Sequence, residues 1–271
     1  VGLKNNLKKE FSPLRFIEEL NQKSVALINV PAVFENVSAK IAGDSDKVQE
    51  TEILDYTKSI LLKSGLSVTA LNHFMECPSR FFYKSILKLP EAPNPNSEKG
   101  NAMHKALADV WQLKNKAGEV VVKTLESSLT SYFSRSLLPL SEKEVAVEEL
   151  LLNVPKVAKA LLPLFSLEGK VATELSVKTI YTGKYDEQDI ILPLHGKLDV
   201  VVDEEDKTLV FDYKTKEAMS VNAIKGETKN DDGNYFRQLV FYKILLEGTL
   251  KYKNKKIEPA LVFVKHDSKG R

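Results

Sequence analysis

Two apolar runs separated by four polar residues place the tightest local constraint on this chain. Gly196-Lys197-Leu198-Asp199-Val200-Val201-Val202-Asp203 is followed by Glu204-Glu205-Asp206-Lys207, and then by Thr208-Leu209-Val210-Phe211-Asp212-Tyr213-Lys214. Such a pattern specifies a β-hairpin. With the turn centred on Glu205-Asp206, Asp203 faces Thr208, Val201 faces Val210 and Asp199 faces Asp212. This register puts Leu198, Val200, Val202, Leu209, Phe211 and Tyr213 on one apolar face that packs on the core. A slip of one residue would scatter that set. The other face gathers Asp199, Asp212 and Lys214 at one end.

Opposed residues on paired strands have Cβ atoms roughly 4.5–5.5 Å apart. Two carboxylates at that spacing repel, and one pKa should rise. A divalent cation bound by both removes the conflict, and hard oxygen ligands suit Mg²⁺ or Mn²⁺. Lys214, two residues after Asp212, points to the same face. It can hold or help deprotonate a water and neutralise a phosphate. An Asp-x-Lys on a strand is more often a solvated edge or a surface ion pair. Asp199 in register, behind Gly196 and inside an otherwise apolar strand, puts chemistry on an equal footing with that reading.

Around the hairpin, the hydrophobic period changes from helical to alternating. Helical patterning covers residues 51–62. Ser67 reads as the N-cap of a helix over 69–75, and Pro78 opens another over 79–87. Pro90, Pro93 and Pro95 form a rigid connector. Residues 100–116 form a helix stopped by Gly118, and 119–167 continue helically with breaks at Pro139, Pro155 and Pro163. Strands follow at 171–181, 190–203, 208–214 and 259–265, with a helix over 234–246 before the last. The order predicts an α/β fold with a central mixed sheet flanked by helices, a large helical N-terminal portion and a helical insertion at 119–167.

Composition sets outer bounds. The 271 residues are 28% charged and 43% hydrophobic, which excludes wholesale disorder. A net charge of +2 does not mark a nucleic-acid binder. The Lys251, Lys253, Lys255 and Lys256 cluster is either a basic surface or a solvated loop. No apolar run is long enough for a membrane span, and the N-terminus lacks a secretory pattern. The single cysteine, Cys77, permits no disulfide within the chain and fits a cytoplasmic protein. It reads as a small buried apolar residue. The sequence starts without Met and stops soon after a strand-like run, as a fragment of a longer protein would.

Several separated motifs together resemble the PD-(D/E)xK nuclease superfamily, and within it the nuclease domains of RecB- and AddB-type helicase–nucleases. The resemblance covers roughly residues 66–265. Leu66-Ser67-Val68-Thr69-Ala70-Leu71 and Cys77-Pro78-Ser79-Arg80-Phe81-Phe82-Tyr83 are similar to that family's opening helices. Gly100-Asn101-Ala102-Met103-His104-Lys105-Ala106-Leu107 resembles its His-bearing motif. Glu174 stands where an acidic residue often precedes the hairpin. Gly196-Lys197-Leu198-Asp199 and Asp212-Tyr213-Lys214 match the core signature, and Gln238-Leu239-Val240-Phe241-Tyr242 matches the Gln-xxx-Tyr motif. Phe11-Ser12-Pro13-Leu14-Arg15-Phe16-Ile17-Glu18-Glu19-Leu20 resembles the segment that closes the motor of UvrD-like helicases. The sequence has no Walker A motif.

The resemblance implies a restriction-endonuclease-like core over 51–271, behind a linker or helicase tail at 1–50. It implies Mg²⁺- or Mn²⁺-dependent hydrolysis of DNA, exonuclease action, and a place in end processing, recombination or repair beside a helicase motor. His104, Asp199, Asp212 and the Tyr213 carbonyl would bind metal, with Lys214 positioning the water. Glu174 would lend support, and Gln238 and Tyr242 would contact DNA or orient the site. The DNA would be single-stranded or have free ends, held mainly by phosphate contacts and so weakened by salt. An AddB-type iron–sulfur cluster needs four cysteines, so no complete site lies within this chain. The alternatives are a catalytically silent relative that binds DNA or a protein, a stand-alone restriction-type endonuclease, and an RNA or small-nucleotide hydrolase.

Overall fold

The structure, a computed structural model, describes residues 46–265 except Asp186. The segments at 11–20 and 26–37, and with them most of the expected tail, lie outside the described residues. The chain divides into two compact units, Val1–Asp55 and Tyr56–Arg271. The second holds everything described below except the first turns of α1.

In chain order the elements are α1 (Asp46–Ser64), α2 (Val68–Glu76), α3 (Pro78–Phe81) running into a π-helical turn (Phe82–Ile86), α4 (Pro95–Trp111), α5 (Gly118–Arg135) and α6 (Leu140–Phe165). Then come β1 (Lys170–Tyr185), β2 (Gln188–Asp203), β3 (Lys207–Glu217), α7 (Val221–Lys225), α8 (Asn234–Glu247) and β4 (Lys256–Lys265). The four strands form one sheet in the order β1-β2-β3-β4. The first three pair antiparallel, whereas β4 runs parallel to β3. A parallel partner requires a crossover, and α7 and α8 supply it.

Helices cover both faces of this mixed sheet, which is the restriction-endonuclease-like architecture the sequence predicts. On one face, α4, α5 and α6 pack Met103, Leu107, Val110, Trp111, Leu125 and Phe165 against Val200, Val202, Phe211 and Tyr213. On the other, α8 brings Phe241, Tyr242, Leu245 and Leu246 against Leu198, Val201 and Val210. Gly196 lets α8 come close, because a Cβ there would lie 2.5 Å from Leu245 Cδ1.

The hairpin register holds where it is hydrogen-bonded: Asp203 pairs with Thr208, Val201 with Val210 and Val200 with Phe211. The face assignment needs one correction. Leu198 lies with Val201 and Val210, not with Val200 and Val202. The alternation inverts between Leu198 and Val200, and likewise on β1, where Val171 joins the first core but Leu175 and Val177 join the second. Both inversions fall at the skipped pair Glu174–Asp199, where Glu174 has a φ of 54°. A left-handed residue rotates the strand and ends the period-two rule locally.

Other boundaries moved for local reasons. Ser67 caps α2 as expected, accepting from the Ala70 N–H. Helix α4 begins inside the expected Pro-rich connector, because Pro95 sits in its first turn and Asn94 caps it. Gly118 does not stop a helix but begins α5. Neither Pro155 nor Pro163 breaks α6. Proline removes one backbone hydrogen bond, and the burial of Val154, Val157, Ala158, Leu161 and Phe165 outweighs it. Cys77 is exposed rather than buried, at the junction where α2 ends and α3 begins. Among the described residues no helix is long and apolar enough to cross a membrane.

The lysine cluster near β4 is largely tied up within the protein. Lys255 donates to Asp203 Oδ1 at 2.7 Å and to the Glu204 carbonyl at 2.6 Å, while Lys251 lies 3.4 Å from Asp203 Oδ2. Thr208 donates to the same carboxylate at 3.0 Å. Burial opposes the charge on Asp203, but these donors outweigh it and lower its pKa. A lowered folded-state pKa gives stability above the unfolded pKa that disappears as pH falls through the folded one. Asp203→Asn should therefore cost about 1–3 kcal/mol at neutral pH, with a smaller penalty in acid below the carboxylate range. Denaturant titrations at both pH values check this, and a pH-independent difference would refute it.

Candidate active site

Strand β3 sets Asp212 on the face covered by α8, and burial leaves it 2% exposed. An isolated carboxylate there would be costly, but α8 answers it. Gln238 and Tyr242, one helical turn apart, share a face. Gln238 Nε2 donates to Asp212 Oδ1 at 2.8 Å and the Tyr242 hydroxyl donates to the same oxygen at 2.9 Å. The second oxygen, Oδ2, is buried and accepts no well-directed hydrogen bond, while the Lys214 ammonium approaches it to 2.5 Å. Lys214 also donates to Gln238 Oε1 at 2.9 Å.

Asp199 lies one step beyond the last hydrogen-bonded pair of β2 and β3. There its side chain replaces the ladder, with Oδ2 accepting from the Tyr213 N–H at 2.9 Å. His104 on α4 meets the same oxygen through Nδ1 at 3.1 Å. The Tyr213 side chain goes to the opposite face, where Trp111 Nε1 donates to its hydroxyl at 2.9 Å. Two glycines with positive φ, Gly226 and Gly233, pinch the loop leading into α8. A Cβ on Gly226 would lie 2.5 Å from the Gly233 nitrogen.

The electrostatics follow from this packing. The Asp212 pKa is raised, chiefly by burial and further by the Asp199 charge, with Lys214 opposing. The rise expected from paired carboxylates is present, but desolvation is its main cause. Burial disfavours the imidazolium of His104, yet hydrogen bonding and charge from Asp199 outweigh it and raise its pKa.

The structure thus brings Asp199 to His104, and Asp212 to Lys214, Gln238 and Tyr242. Glu174 on β1 stands across from Asp199 but pairs with Lys197, two residues earlier on β2. Among the described residues, no group of three or more His, Cys, Asp or Glu side chains stands close enough together to hold a metal ion. The donor set still fits a divalent cation. Two carboxylates, an imidazole and a backbone carbonyl suit Mg²⁺ or Mn²⁺, and Asp212 Oδ2 is a buried acceptor without a directed donor.

A family model describing the PD-(D/E)XK nuclease superfamily matches residues 65–271. The chain belongs to that superfamily. No curated protein sequence matches it significantly. The PD-(D/E)XK nucleases hydrolyse phosphodiester bonds and typically use divalent metals. Their nuclease fold implies a nucleic-acid substrate. The match spans every residue of the cluster, from His104 to Tyr242.

Two residues packed against this candidate site were not singled out by sequence reasoning. Trp111 falls within the helix expected over 100–116, and the signal it offered is that a buried indole needs a hydrogen-bond acceptor. Tyr235 stands three residues before Gln238 on α8, and its ring lies 4.9 Å from Lys214 Nζ and 4.3 Å from Lys216 Nζ. The Tyr-xx-Gln-xxx-Tyr spacing was the available signal for it.

Replacing Trp111 with Phe should lower unfolding stability by about 1–3 kcal/mol, since the buried Tyr213 hydroxyl loses its donor. An unchanged urea midpoint would contradict the contact. Glycine normally weakens a strand by about 0.5–1 kcal/mol. Glu174→Gly should instead be neutral or stabilising in thermal melts, because glycine adopts the left-handed conformation freely. A clear fall in Tm would show that Glu174 is not strained.

Proposed function

We propose that this chain is a metal-dependent deoxyribonuclease module in which Asp199, Asp212 and Lys214 carry the chemistry. The observation that supports this most is the buried Asp212, tied at once to Lys214, Gln238 and Tyr242 inside a matched nuclease domain. His104, Asp199, Asp212 and the Tyr213 carbonyl would hold the cation. When bound, a divalent cation supplies Lewis acidity that polarises a phosphoryl oxygen and activates water.

The chain's own groups do the rest. Lys214 positions the attacking water and offers its charge to the phosphate oxygens. Tyr242 and Gln238 fix the Asp212 carboxylate, so that little reorganisation is needed during reaction. Tyr213 links the two carboxylates, because its N–H orients Asp199 while its neighbour in sequence is Asp212. Within this reading, the substrate is DNA that is single-stranded or has free ends, and the module works beside a helicase motor in end processing, recombination or repair.

Degradation of single-stranded DNA should require Mg²⁺ or Mn²⁺ and stop with EDTA. Asp212→Asn and Lys214→Ala should each cut the rate at least about 100-fold, with circular dichroism unchanged. Wild-type cleavage by Asp212→Asn would refute the site. DNA binding without any cleavage by the wild-type chain would favour the silent-relative alternative.

A further inference from the structure

Two polar groups hold the Lys214 ammonium, Asp212 Oδ2 at 2.5 Å and Gln238 Oε1 at 2.9 Å. Its third neighbour is a ring. The Tyr235 centroid lies 4.9 Å from Lys214 Nζ, inside the ~6 Å range over which an aromatic face attracts a cation. The Lys214 side chain is only 17% exposed, so water weakens this attraction less than it would on an open surface. Lys216 brings a second charge to the same ring. Residues two apart on a strand share a face, and Lys216 Nζ lies 4.3 Å from the centroid. Two ammonium groups so placed repel each other, and the negative ring face offsets that repulsion for both. Without the ring, the repulsion remains and the attraction is lost. The flexible four-carbon stem of Lys214 could then carry its charge away from Asp212.

The turn that carries Tyr235 is braced. Tyr235 is the second residue of α8 and stands three before Gln238, so the two share a side of the helix. Gly233, with a φ of 72°, leads the chain into this turn. Arg237 then ties the turn down. Its Nε donates to Asn72 Oδ1 on α2 at 2.9 Å, and its Nη2 donates to Asp232 Oδ2 at 2.7 Å. A ring on a braced turn can restrict a lysine, whereas a ring on a loose one cannot.

We infer that Tyr235 is a positioning residue, whose ring face fixes the Lys214 ammonium beside Asp212. This rests on the nuclease reading above for the role of Lys214, but the placement of the ammonium can be read without cleavage. The ring face does this work, so the hydroxyl is dispensable.

The test compares the wild-type chain with Tyr235→Phe, which keeps the ring, and with Tyr235→Leu and Tyr235→Met, which lack it. NMR of lysine-labelled protein in EDTA, with Lys214 assigned through Lys214→Arg, reads the contact directly. The Lys214 ε-methylene protons should be displaced upfield by the ring current in wild type and Tyr235→Phe, and the displacement should vanish in both ringless variants. On single-stranded DNA with Mg²⁺, the ringless variants should lose about 5- to 30-fold in kcat with KM little changed, and Tyr235→Phe should stay within about twofold of wild type. An undisplaced wild-type signal, a displacement that survives loss of the ring, or an unchanged kcat in a folded ringless variant overturns the inference. So does a loss confined to KM, which would mean that the ring stacks on substrate instead. Tyr235→Met keeps the comparison open if Tyr235→Leu fails to fold. Absence of wild-type cleavage with Mg²⁺ or Mn²⁺ would sink the nuclease reading, and the Lys214 signal would still decide whether the ring places the ammonium.

Discussion

The arrangement depends on one buried carboxylate. Asp212 is excluded from water inside the sheet–helix interface, where an unpaired charge would cost several kcal/mol. It persists because three side chains converge on it, two from one face of α8 and one from its own strand. That fixes more than a charge. Gln238 and Tyr242 can reach Asp212 only if α8 lies in one orientation across β3. Gly196 permits that approach, and the pinched loop between Gly226 and Gly233 delivers the helix to it.

The site is also the place where the two hydrophobic cores meet. His104 comes from α4 on one face of the sheet, whereas Gln238 and Tyr242 come from α8 on the other. A strictly alternating strand would send Asp199 wholly to one side. The irregularity at Glu174 and Asp199 inverts the alternation there and lets the Asp199 carboxylate reach both the Tyr213 N–H and the imidazole. Strand irregularities commonly re-aim a side chain in this way. Here the left-handed Glu174 is their structural cause.

Much of this was legible in the sequence, for identifiable reasons. The hairpin register follows from apolar alternation, which allows one pairing and no other. The opposition of Asp199 and Asp212 follows from that register, and the Gln238–Tyr242 pair follows from helical spacing. Local patterns of this kind hold because each residue reports its own environment. The inverted face at Leu198 was not legible, since a glutamate gives no sign that it will adopt a positive φ. Pro155 and Pro163 misled for the opposite reason, as a local backbone penalty was overridden by the tertiary packing of Val154, Val157, Ala158, Leu161 and Phe165 around them. Cys77 was misjudged because a free cysteine's preference for the interior is only a tendency, and here the residue sits at an exposed junction between two helices.

Trp111 and Tyr235 show a further limit of reading residues one at a time. Each looks like an ordinary aromatic on an amphipathic helix. Their significance comes from a partner far away in the chain: Trp111 through the Tyr213 hydroxyl, and Tyr235 through two lysines of β3. Tyr213 is the residue that joins these layers. Its side chain is anchored in the α4 core by Trp111, its N–H holds Asp199, and its chain neighbours are Asp212 and Lys214. Fixing one buried ring therefore constrains the backbone between Asp212 and Lys214, two of the residues to which the proposed chemistry is assigned. Precision at the charged end of the sheet is thus inherited from apolar packing behind it, and not from the charged groups alone.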